Sequence, residues 1–211
     1  MDANIKKANH RLLEIVAENL RKNRFEARIF DTASEASKAI VKFIGSKKDV
    51  AFGGCMSIRE MGLIEKISEN NTIYTHSSHM NSDERRKIWL KSLDSDFYIA
   101  SPQAITLDGK LIFIDGTGNR GAAVIWGPRH ILLVAGVNKI VRDQDEGLWR
   151  ARNIAAIRNN IRLSKKNPCV EKGVCIDCDS DERICNIVII LWKRPRITPI
   201  TLFLINEELG Y

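Results

Sequence analysis

The stretch HILLVAGVNK, residues 130–139, decides the fold class. Its first part, residues 130–135, is a short and nearly all-apolar run, which predicts a strand buried on both faces. The run ends in Gly136-Val137-Asn138-Lys139, so a glycine and two polar residues follow the strand directly. Because a strand with two covered faces belongs to a parallel sheet between helices, the stretch points to an α/β fold.

Strands and helices alternate through most of the remaining sequence. Apolar residues at helical spacing predict helices over residues 4–22, 82–93 and 143–157, and Thr32 or Ser34 is expected to cap another that ends at Gly45. An Asp-Gly pair between apolar runs predicts a hairpin at residues 107–110. Other short apolar runs predict strands at 26–30, 49–52, 72–74, 97–100, 187–192 and 200–205. The pattern predicts one α/β domain over residues 1–211, with a largely parallel sheet and a cysteine-rich excursion at about 159–186.

The composition is that of an ordinary globular protein. The chain has 211 residues, of which 44% are apolar and 28% are charged. Its longest apolar stretch, residues 131–137, falls far short of the ~20 residues that a membrane-spanning helix needs. Residues 1–20 carry charges throughout and lack the apolar segment of a secretory signal. We therefore expect a cytoplasmic protein with no membrane span.

Basic residues outnumber acidic ones, which bears on the kind of partner. Lys and Arg total 33 against 26 Asp and Glu, a net charge of +7. The basic residues are scattered among acidic ones, and neither an RNA-recognition signature nor a zinc-finger spacing is present. The scattering of the basic residues and the missing motifs argue against binding of nucleic acid. The surplus of positive charge itself favours a small anionic metabolite as the partner.

The first candidate binding motif is FGGCMS, residues 52–57, where a strand runs into two glycines and then a helix. Gly53 and Gly54 allow ligand atoms to approach the backbone closely. Ser57 is expected to cap the helix, with Glu60 at capping-box spacing. A helix start at the carboxyl edge of a parallel sheet suits a phosphate or carboxylate, although a plain strand–helix turn gives the same pattern.

Two further glycine-bearing turns are expected at the same edge. In DGTGNRG, residues 115–121, Gly116, Gly118 and Asn119 precede Arg120, whose planar guanidinium can bind two oxygens of an anion. The turn after strand 130–135 adds Lys139 as a second cation. We expect the three turns to form one anion-binding crevice.

Four of the five cysteines cluster as Cys169-x5-Cys175-x2-Cys178-x6-Cys185. Because disulfides are rare in the cytosol, clustered thiols indicate a metal site. Four thiolates hold either zinc or a [4Fe–4S] cluster, and the longer gaps favour the cluster slightly. Reduced thiols without a metal, or a redox pair at Cys175 and Cys178, are the alternatives.

Catalytic groups have weaker support in the sequence. Glu60, Asp108 and Asp115 are candidate general bases, although capping and turn formation explain them more simply. No Ser-His-Asp order or GxSxG motif is visible. THSSH, residues 75–79, offers two imidazoles without a nearby carboxylate or cysteine, so we expect a surface loop there.

These segments together resemble the LUD-domain family, the lactate-utilisation proteins once grouped as a domain of unknown function. The resemblance rests on GGCMSIRE (53–60), QAITLDGKLIFIDGTGNR (103–120), ILLVAGVNKIV (131–141), NPCVEKGVCIDCDSDERICN (167–186) and EELGY (207–211). The cysteine block resembles a subset of the family. The positions that match the family pattern are Gly53, Gly54, Ser57, Glu60, Thr106, Gly109, Asp115, Gly116, Gly118, Asn119, Arg120, Gly136, Asn138 and Lys139. One departure is Pro102-Gln103, where the family often has a small residue and Asn.

The resemblance implies both a fold and a general role. The fold would be Rossmann-like, with a mainly parallel sheet flanked by helices, similar to the superfamily of glucosamine-6-phosphate isomerase, ribose-5-phosphate isomerase and CoA-transferases. The role would be that of an accessory or subunit protein in oxidation of L-lactate, beside other iron–sulfur proteins. The ligand-binding positions it implies include Asn138 and Thr106.

Two other functions are compatible with the sequence. One is a sugar-phosphate isomerase or CoA-handling enzyme of the same superfamily. The other is a non-enzymatic assembly module that docks a partner protein through its basic surface and cysteine loop. The sequence gives neither the substrate nor the oligomeric state, and it leaves open whether the chain is catalytic.

Overall fold

The structure is a computed structural model, and it describes residues 2–77 and 79–211. The strands run in chain order as β1 (Glu26–Phe30), β2 (Asp49–Phe52), β3 (Thr72–Tyr74), β4 (Phe97–Ala100), β5 (Ala104–Thr106), β6 (Leu111–Asp115), β7 (His130–Gly136), β8 (Ile140–Val141), β9 (Ile187–Leu191) and β10 (Ile200–Ile205). The helices are α1 (Ala3–Lys22), α2 (Ala33–Ile44), α3 (Met56–Glu60), α4 (Leu63–Ser68), α5 (Ser82–Leu93), α6 (Asn119–Ile125), α7 (Gln144–Arg150), α8 (Ala156–Arg162) and α9 (Pro168–Lys172). A 3₁₀ turn, Val137–Lys139, follows β7, and a π-helical stretch, Ala151–Ala155, joins α7 to α8.

The central sheet has six parallel strands in the order β1-β10-β7-β4-β2-β3. Strand β7 pairs along its length with β10, and both are almost completely buried. Hydrophobic clusters on the two sides of the sheet cover these strands. The prediction of a mainly parallel α/β sheet flanked by helices is confirmed, and the all-apolar sequence of β7 reflects its two covered faces.

The chain reverses direction across the sheet between β2 and β4. From β2 the chain moves outward to β3 at one edge, and it then returns to place β4 on the other side of β2. The connections that leave the carboxyl ends of β2 and β4 therefore diverge. A crevice opens at such a switch point, where open α/β sheets bind their ligands.

A second sheet, in the order β8-β5-β6-β9, packs beside the first. The predicted hairpin joins β5 and β6 in antiparallel register. Its Gly109 has φ +81°, and a Cβ there would lie 2.8 Å from the backbone carbon of Asn19. Asn19 on α1 and Asn23, the residue directly after α1, donate side-chain hydrogen bonds to carbonyl oxygens of this turn. The Asp-Gly pair is therefore needed both for the turn and for its contact with α1.

One local prediction is wrong. The helix after β2 has Cys55 rather than Ser57 at its N-cap, and it breaks at Gly62, whose φ is +58°, into the short helices α3 and α4. The Ser57 hydroxyl cannot cap because tertiary partners engage it, as described below.

Gly136 at the end of β7 tests how tightly this edge is packed. A Cβ at Gly136 would lie 2.5 Å from the Glu207 carbonyl oxygen and 2.6 Å from the Leu209 nitrogen, both backbone atoms. We expect Gly136→Ala to lower the free energy of unfolding by about 2 kcal/mol, since overpacking rigid atoms costs ~1–3 kcal/mol. Gly54→Ala is the matched control, because the nearest atom to its Cβ would be 4.0 Å away. Urea unfolding of both variants checks this, and equal stabilities would contradict it.

Candidate functional site

A cleft of about 210 Å³ lies at the carboxyl ends of β2, β4 and β7. Its walls come from the turn after β2, the segments around β6 and α6, the π-helical stretch with α8, and the end of the chain. Three cationic side chains line it, Arg120, Lys139 and Arg162, against the single carboxylate of Asp115 among the described lining residues. The cleft is therefore biased toward an anionic ligand.

Lys139 is the most deeply buried of these cations, with a side chain only 1% exposed. Its Nζ donates hydrogen bonds to the Ser57 Oγ at 3.0 Å and to the Ser101 Oγ at 2.7 Å. The Ser57 Oγ in turn donates to the Leu209 carbonyl oxygen at 3.2 Å. An ammonium carries three N–H donors, so one remains for a ligand in the cleft.

The surroundings of Lys139 disfavour its charge. Burial lowers the pKa of Lys139 from its ordinary 10.5 to about 8. The charges of Arg150 and Arg120 lower this pKa as well, while Cys55 and Glu60 act in the opposite direction. No carboxylate forms an ion pair with Lys139 among the residues that the structure describes. The amine is therefore much closer to the neutral form at physiological pH than an ordinary lysine.

Arg120 is fixed at the start of α6 by the edge of β6. Its guanidinium donates to the Ile114 carbonyl oxygen, while its Nε is buried without a hydrogen-bond partner. A Cβ at Gly53 would lie 3.5 Å from the Arg120 Cδ and 3.0 Å from the Tyr98 hydroxyl oxygen. Gly53 is therefore needed for the close approach of the Tyr98 hydroxyl to the end of β2, whereas the contact with Arg120 would tolerate a Cβ.

Asp115 shapes the loop that carries Arg120. Its Oδ1 accepts from the backbone N–H of Thr117 at 3.3 Å, and its Oδ2 accepts from the backbone N–H of Gly121 at 2.8 Å. The carboxylate is only 6% exposed. Both oxygens are therefore occupied by the loop itself, which is the turn-forming role.

The last residues of the chain close the cleft next to α3. The Asn138 amide donates to the Gly210 carbonyl oxygen and accepts from the Leu209 N–H, both at 3.1 Å. The Glu60 carboxylate accepts from the Gly210 N–H at 2.7 Å. Asn138 and Glu60 thus hold the C-terminal segment in place. The expected capping box at Ser57 and Glu60 is wrong, because both side chains bind this segment or Lys139 instead.

The structure does not bring all of the predicted residues to the cleft. Gly54, Gly116, Asn119, Arg120 and Lys139 line it, whereas Gly53, Ser57 and Asn138 support residues that do. Gly118, with φ +91°, precedes α6 and is not one of the lining residues. Thr106 and Asp108 bond each other in the β5–β6 hairpin, away from the cleft, so neither reaches a ligand there.

Several lining residues were not predicted from the sequence. Ser101 follows β4, and Arg162 and Tyr211 lie far apart in the chain. His76, expected in a surface loop, lines the cleft, and the Trp89 indole nitrogen donates to its Nδ1 at 3.4 Å. Burial lowers the pKa of His76, so its neutral form is favoured. His79 is exposed, while Ser78 lies outside the described residues.

Gln103 stands where the family often has Asn, and it also lines the cleft. Its side-chain oxygen accepts from the Ile114 N–H at 3.2 Å, and its amide nitrogen donates to the Ile114 carbonyl oxygen at 3.4 Å. The carbonyl oxygen of Ile114 also accepts from Arg120. Gln103 therefore helps to hold the strand edge that orients the guanidinium.

The cysteine-rich loop forms part of the same wall. Ile184 lines the cleft, and a Cβ at Gly116 would lie 3.1 Å from its Cα. The Asn186 amide donates to the Gly116 carbonyl oxygen at 3.1 Å. Gly116 therefore allows this loop to pack directly on the turn that precedes Arg120.

All five cysteines are free thiols. Arg183 donates to the carbonyl oxygens of Cys178 and Cys185, at 2.6 and 3.2 Å, and so draws these two positions together. Burial, followed by the nearby thiols of Cys178 and Cys175, raises the pKa of Cys169. Within residues 2–77 and 79–211, no three His, Cys, Asp or Glu side chains form a group that could hold a metal ion. The metal site stays a prediction.

The fold is that of an open parallel α/β protein with a cleft at its switch point. The LUD domain model matches residues 13–202, and the chain therefore belongs to the LUD-domain family. Membership in this family supports a lactate-utilisation-related role in general terms.

A solved structure supports the fold. The chain is similar to a DUF162 family protein from Deinococcus radiodurans, whose crystal structure has a resolution of 1.70 Å. The two share 13% sequence identity with a TM-score of 0.54, over 93% of this chain and 98% of the other. The comparison with curated protein sequences gives no significant match. Among the described residues, no helix is long and apolar enough to cross a membrane.

Burial of the Lys139 amine predicts that the stability of the protein depends on pH. The pKa of Lys139 is about 8 in the folded chain, whereas its ordinary value is 10.5. Between pH 8 and pH 10.5, Lys139 is therefore protonated to a greater extent in the unfolded state than in the folded state. The free energy of unfolding should therefore rise with pH across this window, by about 2 kcal/mol between pH 8 and pH 10, relative to Lys139→Met. Urea unfolding at several pH values measures the difference. The exposed Lys66, in a Lys66→Met variant, controls for loss of one lysine, and parallel pH profiles of wild type and Lys139→Met would contradict the prediction.

Proposed function

We propose that the cleft binds the carboxylate of a small organic acid, and that the chain serves as an accessory or subunit protein in L-lactate oxidation. The observation that carries the proposal is the set of three cationic side chains in one cleft. Arg120 offers a planar fork for two carboxylate oxygens, and Lys139 has an N–H to spare. Among the described residues Asp115 forms no ion pair with any of the three, and its oxygens accept backbone hydrogen bonds from its own loop.

The helix starts contribute less than the sequence indicated. Both α3, Met56–Glu60, and α6, Asn119–Ile125, are short, so their aligned peptide dipoles are correspondingly small. The proposal therefore rests on the charged side chains and on the exclusion of water from the buried Lys139. Charges of this kind act more strongly in a partly desolvated cleft than at an open surface.

The alternative as a sugar-phosphate isomerase or CoA-handling enzyme has weaker support. Such an enzyme needs a general base within hydrogen-bond reach of the proton it removes. The three carboxylates that the sequence suggested as bases are engaged elsewhere: Asp108 lies in the hairpin, Glu60 accepts from the C-terminal segment, and Asp115 accepts from its own loop. The assembly-module alternative needs no cleft at all, and a stable partner complex without any small-molecule response would favour it.

Binding of L-lactate and pyruvate tests the proposal. We expect isothermal titration calorimetry to show binding of at least one of them, and Arg120→Gln to weaken it by about 10–100-fold, since hydrogen bonds to charged groups contribute ~1.5–3 kcal/mol. Arg129→Gln is the matched control, because Arg129 is exposed and pairs only loosely with Asp96, at 3.7 Å. Binding should also weaken with added salt.

The proposal fails if neither acid binds to the wild type. It also fails if Arg120→Gln and Arg129→Gln weaken binding equally, because the effect would then reflect net charge alone. Turnover of a sugar phosphate by the purified protein would favour the isomerase alternative instead.

We also propose that the cysteine loop binds a thiophilic metal centre, either zinc or a [4Fe–4S] cluster, through Cys169, Cys175, Cys178 and Cys185. Four thiols, one on α9 and three on the irregular segment that follows it, suit such a centre chemically. The favouring observation is that Arg183 holds the backbone at Cys178 and Cys185 together. The thiols do not yet converge, so binding requires the loop to adjust and the thiols to lose their protons. The centre would then stabilise the wall of the cleft or carry electrons to other iron–sulfur proteins.

Metal analysis of protein purified without oxygen tests this second proposal. We expect about one zinc ion, or about four iron and four sulfide ions, per chain. Cys178→Ser should abolish most of the bound metal, whereas Cys55→Ser, outside the cluster, should not. Metal-free wild-type protein, even after reconstitution with zinc or with iron and sulfide, would refute the proposal.

A further inference from the structure

The cleft contains one feature that anion binding alone does not require. The Lys139 amine lines the cleft, yet its side chain is almost completely buried and its two described hydrogen-bond partners are neutral hydroxyls. An anion site works best with a fully charged ammonium. Here burial and the nearby charges of Arg150 and Arg120 work against that charge.

A neutral amine is a nucleophile, whereas an ammonium is not. With its pKa at about 8, ~10% of Lys139 is neutral at pH 7, against well under ~0.1% for an ordinary lysine. Desolvation and neighbouring cations are known ways of activating a lysine for attack on a carbonyl carbon. The surroundings of Lys139 combine both.

A ligand that satisfies both groups carries a carboxylate and a carbonyl. Arg120 suits the carboxylate, and the Lys139 Nζ suits an electrophilic carbon a short distance from it. A 2-oxo acid carries these two groups on adjacent carbons. A 2-hydroxy acid carries the carboxylate without the electrophile.

We propose that Lys139 forms a covalent imine with a 2-oxo acid held in the cleft by Arg120. This inference rests on the proposed organic-acid site and adds the class of ligand and the bond formed. The attacking atom is the Lys139 Nζ, and the carbon attacked is the carbonyl carbon next to the carboxylate.

The reaction is a condensation without a change of oxidation state. The neutral amine adds to the carbonyl carbon, and its proton passes to the oxygen to give a carbinolamine. The C–O bond then breaks and the hydroxyl leaves as water, taking up one proton from solvent, equal to the one that the ammonium lost when it became neutral; a protonated imine remains. The positive charge of the ammonium form is thus retained on nitrogen, beside the ligand carboxylate.

Two hydroxyl groups are placed to move these protons. The Ser101 Oγ lies 2.7 Å from the Lys139 Nζ and lines the cleft, so it can pass a proton between the nitrogen and the departing oxygen. The Ser57 Oγ lies 3.0 Å from the same nitrogen and donates to the Leu209 carbonyl oxygen, but Ser57 is not one of the residues that line the cleft. We therefore assign Ser101 to proton transfer and Ser57 to positioning of the amine.

Reductive trapping tests the proposal directly. The wild-type protein is incubated with pyruvate and sodium cyanoborohydride, which delivers hydride to an imine carbon and leaves a stable secondary amine. Intact mass spectrometry should show one carboxyethyl adduct per chain, and peptide mapping should place it on Lys139. L-lactate should give no adduct, because it lacks the carbonyl group.

Variants separate the specific reaction from general lysine chemistry. Lys139→Arg should lose the adduct, whereas Lys66→Arg, which removes a lysine that donates to the Ser37 hydroxyl at 3.0 Å, should keep it. Ser101→Ala should still form the adduct, but at least ~10-fold more slowly, within the range typical of general acid–base catalysis. Thermal melting of each variant checks that it is folded.

The outcomes distinguish this proposal from the one on which it rests. If calorimetry shows that pyruvate binds but no adduct forms, the imine proposal is wrong and the proposal of an organic-acid site still stands. An adduct spread over many lysines, or one that maps elsewhere, also overturns it. If pyruvate neither binds nor reacts and L-lactate does not bind, both proposals fail together.

Discussion

The cleft depends on the burial of one amine, Lys139, at the carboxyl edge of the sheet, where no carboxylate of residues 2–77 and 79–211 forms an ion pair with it. Removing a charge from water is costly unless the charge is paired and hydrogen-bonded. Here the compensation comes from two serine hydroxyls, Ser57 after β2 and Ser101 after β4. The amine therefore binds together the ends of the two strands between which the chain reverses. This contact also explains why Ser57 does not cap α3.

The C-terminal segment completes the arrangement. Leu209 and Gly210 receive or donate hydrogen bonds at Ser57, Glu60 and Asn138, all close to Lys139. The segment follows β10, which lies next to β7 in the sheet. Packing of this segment thus keeps water from the amine, and it places Tyr211 in the cleft wall. Ser57 and Asn138, which the sequence suggested as ligand contacts, serve mainly to hold the C-terminal segment in place.

The second sheet gives this α/β protein a wall that the six-stranded sheet alone does not have. Strand β6 leads directly into the turn that carries Arg120, and β9 follows the cysteine loop. The two strands pair in antiparallel register from Leu111 to Asp115. The end of the cysteine loop therefore lies next to the turn that carries Arg120. Ile184 of the cysteine loop packs against Gly116, so a rearrangement of this loop would change the position of Gly116. A metal in the loop and a ligand in the cleft would therefore influence one another.

The sequence by itself determined the fold class, most element boundaries and the main cation pair of the cleft. Apolar runs and helical periodicity are local signals, and buried parallel strands leave an unmistakable one at residues 130–135. Arg120 and Lys139 were visible because each follows a glycine-bearing turn near a strand end. The separate second sheet, the break at Gly62 and the roles of Ser57, Glu60 and Asn138 were decided only by tertiary structure. Those roles depend on partners such as Leu209 and Ser101, which are distant along the chain. A sequence pattern over a few neighbouring residues cannot predict that two serines, which follow different strands, accept hydrogen bonds from one lysine. Nor can it predict that the end of the chain covers them.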